Sequence, residues 1–224
     1  ALWQKPSTPM KTLTIDVVSD VVCPWCYVGK RRLERALAIL AIQQPDVEPE
    51  VRWHTFQLNP EMAAEGIARE DYVRNKFGDR ASSIYERVTG VGKEVGIAFA
   101  FDRIVRQPNT VVAHSLIAMS EPGMAQDAMV EAFFQAYFID GRDLTNASVL
   151  MDVAESAGME RAVAEQHLQN SELHSQTIDS DNAAREMGIT GVPFFIFNRQ
   201  VGLSGAHESE TLLQAMNEAM NATA

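Results

Sequence analysis

The position of the two cysteines constrains the fold more than any other feature of this chain. They are Cys23 and Cys26, in the sequence CPWC, and the chain has no other cysteine. Before them, from Lys11, apolar residues alternate with polar ones, which is typical of a β-strand. After them, apolar residues recur every three or four positions up to Pro45, which predicts an amphipathic helix beginning near Pro24. The dithiol is therefore expected at a strand-to-helix junction, on the first helical turn.

The rest of the pattern predicts an α/β protein. Residues 50–56 alternate again and complete a strand–helix–strand unit, which should be right-handed with parallel strands. From about residue 61 to 187 almost every patterned segment has helical spacing, and this region is too long to be a loop. Residues 193–197 and 200–203 predict a hairpin, and a final amphipathic helix follows. Strands thus lie near both ends of the chain, with helices between them.

Charge and hydropathy exclude several classes of partner. The net charge of −11 over 224 residues opposes binding to nucleic acid and to anionic lipid surfaces. No window has the roughly 18 to 20 apolar residues that a membrane-spanning helix needs, so no membrane segment is expected. Residues 1–9 have no pattern, and we expect an unstructured leader or a junction, with a natural start at Met10. The absence of a visible signal and of structural disulfides favours the cytoplasm.

The spacing of the two thiols points to reversible disulfide chemistry. Cysteines three residues apart in the first helical turn share one face and lie close enough for a sulfur–sulfur bond. The helix N-terminus favours a thiolate at Cys23, which makes it the nucleophile, and Cys26 is placed to resolve a mixed disulfide. Pro24 stiffens the turn, and the Trp25 indole shields the pair. Both are expected to border the substrate.

Two other interpretations of the cysteines remain less favoured. A metal site usually needs four ligands, but there is no second cysteine pair, and the five histidines show no paired ligand spacing. A structural disulfide would close too small a loop to add much stability. No metal is therefore expected, and no tightly bound cofactor.

A proline near the C-terminus supports the redox interpretation. Pro193 opens an apolar strand, where a cis bond after Val192 would be stable only if the fold holds it. The backbone N–H and C=O of Val192 would then be available to pair with an extended substrate chain. The alternative is an ordinary trans proline at the start of a strand.

Four segments together resemble the DsbA-like, FrnE-type dithiol–disulfide oxidoreductases of the thioredoxin superfamily. They are DVVSDVVCPWCYVGKRRLERAL, FQLNP at 56–60, QPNTVVAH at 107–114 and GITGVPFFIF at 188–197. The resemblance covers nearly the whole chain from Met10. It implies a thioredoxin fold with a large all-helical insertion. It also implies that Cys23 is the nucleophile, Cys26 the resolving thiol and Pro193 a cis proline.

We place the domain boundaries accordingly. Residues 10–60 and 171–224 are expected to form the thioredoxin-like domain, and residues 61–170 the inserted helical domain. Proteins or small molecules carrying a disulfide or thiol are the expected substrates. Because the chain has no further cysteine for an internal relay, an external thiol or redox protein must recharge it, and glutathione is a candidate co-substrate.

The same superfamily offers an alternative function. It includes kappa-class glutathione transferases and 2-hydroxychromene-2-carboxylate isomerases, which handle glutathione and generally have serine where this chain has Cys23. A glutathione-dependent transferase or isomerase therefore stays the alternative, although the intact CPWC argues against it. A client-binding chaperone without enzymatic activity is a third hypothesis, in which the phenylalanines of the insertion would line an apolar groove instead of filling the core.

Two accessory residues are also candidates. Asp20 precedes Cys23 by three positions and resembles an acidic residue of the family, either as a proton acceptor for Cys26 or as a turn or capping residue. His114 lies on a predicted helix, where it either faces the active-site cleft or is a partly buried histidine satisfied by hydrogen bonds.

Overall fold

The N-terminal part of the chain forms the predicted strand–helix–strand unit. A computed structural model describes residues 8–222, so the expected leader at 1–9 lies almost wholly outside the described residues. Strand β1 (Lys11–Ser19) leads into helix α1 (Pro24–Gln43), which returns to strand β2 (Val47–Thr55). The two strands are parallel along their whole length, from Lys11 opposite Val47 to Ser19 opposite Thr55.

The middle of the chain is mostly helical. It contains β3 (Ile67–Ala68), α2 (Arg69–Phe77), α3 (Ala81–Glu94), β4 (Arg106–Gln107), α4 (Val111–Ala118), α5 (Met124–Phe134), α6 (Ala147–Ser156), α7 (Arg161–Leu168) and α8 (Ser171–Glu186). Helix α5 continues into a π-type turn at Gln135–Ile139. Strands β3 and β4 pair antiparallel in a small second sheet. The sequence pattern did not predict this pairing, because two residues are too few to show an alternation.

The C-terminal part completes the main sheet. Strands β5 (Phe194–Phe197) and β6 (Val201–Ser204) form the predicted hairpin, and helix α9 (Ser209–Ala222) follows. The turn residues Asn198 and Arg199 both have positive φ, 50° and 57°, as a primed hairpin turn requires. Strand β5 pairs antiparallel with β1, which gives the order β2-β1-β5-β6. Both ends of the chain therefore build one sheet, and the fold is the expected α/β fold with helices inserted between its halves. The exact boundaries at residues 60 and 171 stay predictions.

One continuous core joins the sheet to the inserted helices. Leu13, Ile15 and Val17 of β1 are at most 1% exposed and face α1. Tyr27 of α1 stacks on Phe134 of α5 with ring centroids 4.7 Å apart. The chaperone hypothesis would place the phenylalanines of the insertion along an open groove. These residues and Trp53 are all buried or half-buried in this core: Trp53, Phe99, Phe101, Phe133, Phe134 and Phe138. These phenylalanines therefore fill the core and do not line an open groove.

None of the helices within residues 8–222 has the combination of length and apolar character that crossing a bilayer requires.

Candidate active site

Cys23 caps the N-terminus of α1. Its backbone is extended, with φ −94° and ψ 110°, and the backbone N–H of Cys26 donates to its sulfur over 3.3 Å. Pro24 is the first helical residue, where its missing N–H costs nothing. The N–H of Cys23 itself donates to the carbonyl of Asp20 over 3.1 Å. The sulfur of Cys23 is thus directed at the open end of the helix, as the spacing of the motif predicts.

The second thiol lies in a different environment. Cys26 is 1% exposed, and both cysteines are free thiols. Burial raises the pKa of the Cys26 thiol well above its ordinary value, and the hydrogen bond with Cys23 and the charge of that residue raise it further. A backbone hydrogen bond from Asp20 and the side chain of Ser19 act on the same pKa in the opposite direction and only partly offset the rise. Cys26 therefore stays protonated at neutral pH.

The loop before β5 lies directly beside Cys23. The Cys23 thiol donates to the carbonyl oxygen of Val192 over 3.7 Å, and the Val192–Pro193 peptide bond is cis. The carbonyl of Pro193 accepts from the N–H of Gly205, which ties this loop to the end of β6. Residues 169 positions apart are thereby brought together. Val192, one of the four residues expected to bind substrate, thus lies against the Cys23 sulfur, and Pro193 follows it in the same loop.

Close packing between α1 and β5 holds this geometry. At Gly29 of α1, a Cβ would lie 3.2 Å from side-chain atoms of both Pro193 and Phe195. This is tighter than an ordinary van der Waals contact. A glycine at this position lets the helix approach the proline loop closely.

Asp20 and His114 form a buried pair below the cysteines. Asp20 is fully buried and His114 is 3% exposed. One carboxylate oxygen of Asp20 lies 3.0 Å from Nε2 of His114, and the other accepts from the backbone N–H of Leu58 over 2.8 Å. His114 therefore matches the second of its two interpretations, a buried histidine with a hydrogen-bond partner. The pair fastens α4 to the junction that carries CPWC.

The inserted helix α3 also borders the site, which the sequence did not indicate. The guanidinium carbon of Arg87 lies 5.8 Å from the centre of the Trp25 ring. Arg87 is exposed, and Trp25 is half-buried. A single exposed arginine on a helix has no signature that would have predicted this contact.

The site therefore has two parts, which we name by their residues. The rim consists of Trp25, Arg87 and Val192, each exposed or half-buried. The floor consists of Ser19, Asp20, Cys26 and His114, all of which are buried. Cys23 lies between the rim and the floor. In this arrangement a substrate at the rim would meet the sulfur of Cys23 first, and the sulfur of Cys26 lies behind it.

Other features of the described residues lie away from the dithiol. A groove of about 450 Å³ separates α8 from the sheet, and its lining includes Val18, His54 and Ile196 but neither cysteine. Within residues 8–222 no group of three or more His, Cys, Asp or Glu side chains is placed to hold a metal ion.

Comparison with solved structures agrees with this architecture. The probable DsbA oxidoreductase SCO1869 from Streptomyces coelicolor superposes with a TM-score of 0.84 at 27% identity, over 93% of this chain and 90% of that one. A 2-hydroxychromene-2-carboxylate isomerase superposes at 0.68 and 17% identity, over 94% and 97% of the two chains. The cytosolic disulfide reductase DsbM from Pseudomonas aeruginosa, solved with GSH, gives 0.58 and 18%, over 92% and 95%. The last two show similarity of fold alone.

Comparison of sequences identifies the family. The curated protein YwbO from Bacillus subtilis, described as uncharacterized, is 25% identical over 210 residues, which cover 92% of this chain and 97% of YwbO. The sequence profile of the DSBA-like thioredoxin domain matches residues 14–217, a range that contains both cysteines and all of the main sheet except the first three residues of β1. This chain belongs to the DSBA-like thioredoxin domain family.

Proposed function

We propose that the protein is a dithiol–disulfide oxidoreductase of the FrnE type that exchanges disulfides through Cys23 and Cys26. The observation that supports this most strongly is the asymmetry of the thiol pair. Both cysteines are buried, at 4% and 1% exposure, but the Cys23 sulfur accepts an N–H bond at the start of α1, whereas Cys26 has a raised pKa. A nucleophile and a protonated resolving thiol are the two components that such exchange needs.

The proposed cycle has two displacements. The Cys23 thiolate attacks one sulfur of a disulfide, which forms a mixed disulfide and releases the other substrate sulfur as a thiolate. Cys26 then loses its proton and attacks Cys23, which forms the Cys23–Cys26 bond and releases the second thiolate. Two electrons pass from the dithiol to the substrate, and the same steps in reverse oxidise a substrate dithiol. We assign the proton of Cys26 to the carboxylate of Asp20, which is bonded to His114 and to the N–H of Leu58. The backbone of Asp20, which hydrogen-bonds the Cys26 sulfur, places the residue beside that thiol.

The rim supplies the contacts for the substrate. The carbonyl of Val192 already lies beside the reacting sulfur, so an extended substrate can pair with the backbone at this position. Pro24 and Trp25 border the same sulfur from the helix side. Pro193 keeps the loop in place through its bond to Gly205. These contacts favour thiols and disulfides on proteins or on small molecules.

Recharging requires an external partner, because the chain contains no third cysteine. Glutathione is our candidate, and the GSH in the DsbM structure supports this by analogy of fold. A separate reductase or oxidase is the other possibility. The cytoplasmic location stays a prediction.

A second candidate function is a glutathione-dependent isomerase or transferase acting on a small molecule. The shared fold with 2-hydroxychromene-2-carboxylate isomerase favours it. It predicts saturable glutathione binding and an activity that survives Cys26→Ser. The chaperone hypothesis has less support, because the phenylalanines it needs at the surface are in the core.

Trapping tests the proposed function. In Cys26→Ser the mixed disulfide cannot be resolved, so adducts on Cys23 should accumulate in cells and appear by mass spectrometry under non-reducing conditions. Cys23→Ser is the matched control and should carry none. An empty trap alongside an active wild-type enzyme would contradict the oxidoreductase and favour the isomerase.

A further inference from the structure

A cation at the rim has no role in the thiol chemistry described so far. It is Arg87 of α3, whose guanidinium lies 5.8 Å from the centre of the Trp25 ring. Within residues 8–222 this arginine forms no ion pair with a carboxylate. Among the described residues its N–H donors also form no hydrogen bond, so they stay available to a ligand. The rim thus presents free donors and a positive charge next to the dithiol.

The packing of α3 fixes the place of this cation. Val88, the next residue, is 1% exposed, and Val91, one turn later, packs against the same core. Helix α3 is therefore anchored against α1 through its apolar face. Arg87 lies at the edge of that interface, on the side of Trp25.

The positive charge of Arg87 contrasts with the negative net charge of the whole chain. The chain has a net charge of −11, which repels anions at long range. At physiological ionic strength the screening length is about 8 Å, so a substrate docked on Trp25 responds mainly to charges at the rim. The carboxylate of Asp20 is buried and bound to His114. Arg87 is therefore a cation held directly against Trp25, where a docked substrate would meet it.

We infer that Arg87 determines substrate specificity by selecting disulfides that carry a carboxylate close to the reacting sulfur. The inference rests on the proposed function and names the substrate class of the same site. A guanidinium and a carboxylate form a paired hydrogen bond of fixed geometry. This pairing holds the disulfide at the rim while Cys23 attacks one sulfur and the other leaves as a thiolate, as in the cycle above.

Three small disulfides of different charge test the inference. Oxidised glutathione carries carboxylates, cystamine carries ammonium groups, and hydroxyethyl disulfide is neutral. The rate at which reduced protein forms its Cys23–Cys26 bond is followed for each disulfide by stopped flow. In Arg87→Glu the rate with oxidised glutathione should fall about tenfold and that with cystamine should rise several-fold, because a rim charge acts mainly on association. The rate with hydroxyethyl disulfide should change less than about twofold.

The matched control is Arg35→Glu, an exposed arginine on α1 that makes the same change in net charge away from the rim. It should leave all three rates within about twofold. Arg87→Lys keeps the positive charge but cannot form the paired hydrogen bond, so it should retain only part of the selectivity of the wild-type protein. An equal change with all three disulfides would show that Arg87 acts on the reactivity of Cys23, which contradicts selection. Unchanged rates would also contradict it. A wild-type protein that reacts with none of the three would instead overturn the proposed function.

Discussion

The rim and the floor of the site lie on either side of Cys23 and follow different physical rules. The rim is open to solvent, and its contact between Arg87 and Trp25 is of a kind that contributes only about 0.5–1 kcal/mol at exposed sites. The floor is buried, and both carboxylate oxygens of Asp20 are bonded there, one to His114 and the other to the backbone of Leu58. Removing one partner of a hydrogen bond in the floor leaves the other partner buried without a bond, which lowers the stability of the fold by the cost of desolvating that group. Changes at the rim should therefore alter the choice of substrate, whereas changes in the floor should alter resolution and stability.

The largest expected effect is the difference in alkylation rate between Cys23, which borders the rim, and Cys26, which lies in the floor. Alkylation requires a thiolate, and the raised pKa of Cys26 keeps it protonated at pH 7. In Cys23→Ser, the remaining Cys26 should react with iodoacetamide at least about 100-fold more slowly than Cys23 does in Cys26→Ser. Mass spectrometry of timed samples gives both rates. In guanidinium chloride the two rates should converge, and similar rates in the folded proteins would contradict a protected floor.

The same group makes stability depend on pH. The pKa of the Cys26 thiol is higher in the folded protein than in the unfolded chain. Its contribution to the free energy of unfolding is therefore fully present below the ordinary cysteine pKa of about 8.5, and it is lost as the pH rises through the folded-state pKa. Reduced wild-type protein should therefore lose more stability on the alkaline side than Cys26→Ala does. Urea unfolding under reducing conditions at pH 7 and above pH 9 measures the difference. The tyrosines also titrate at alkaline pH, but they are present in both proteins, so their contribution cancels in the comparison. Parallel pH profiles would argue against the shift.

The next largest effect is expected at Asp20. Replacing it with alanine leaves the N–H of Leu58 and the ring of His114 without their acceptor in a buried place. Each such loss costs about 1–3 kcal/mol, so we expect Asp20→Ala to lower the free energy of unfolding by about 2–4 kcal/mol. Urea denaturation measures it.

Strand β1 provides a matched control for this change. Asp16 also binds a histidine, His54, over 2.7 Å, but that histidine side chain is 46% exposed. Asp16→Ala should therefore cost less than about 1 kcal/mol. Equal losses at the two aspartates would remove the distinction between buried and exposed pairs. Asp20→Asn keeps an acceptor in the floor and should slow the resolution of a mixed disulfide if Asp20 takes the proton of Cys26.

The smallest effect is expected at the contact between α1 and β5. An alanine at Gly29 must displace Pro193 or Phe195 slightly, whereas a Cβ at Gly90 of α3 would meet nothing within 4 Å. Alanine is favoured over glycine in both helices, so Gly90→Ala should stabilise by about 0.5–1 kcal/mol. Gly29→Ala should be less stable than Gly90→Ala by about 1–2 kcal/mol because of overpacking. Thermal unfolding of the two variants tests this, and equal stabilities would show that the proline loop moves freely.

Local pattern predicted much of the fold. The alternation before CPWC and the helical spacing after it correctly gave β1 and α1, because in each element buried apolar residues recur between residues that are exposed or half-buried. The β5–β6 hairpin was predictable for the same reason. The pattern did not give β3 and β4, which are too short, or the π-type turn after α5, which interrupts a continuous helical spacing.

The sequence by itself determined the spacing on which the proposed chemistry depends: two sulfurs three residues apart at the start of a helix, within the reach of one covalent bond. Tertiary structure decided what surrounds them. Asp20 meets His114 across 94 residues, and Arg87 reaches Trp25 from an inserted helix. Periodicity reports which side of an element is buried, but not which distant element covers it. The partners of the dithiol follow from how the helices pack, and that packing depends on the whole core.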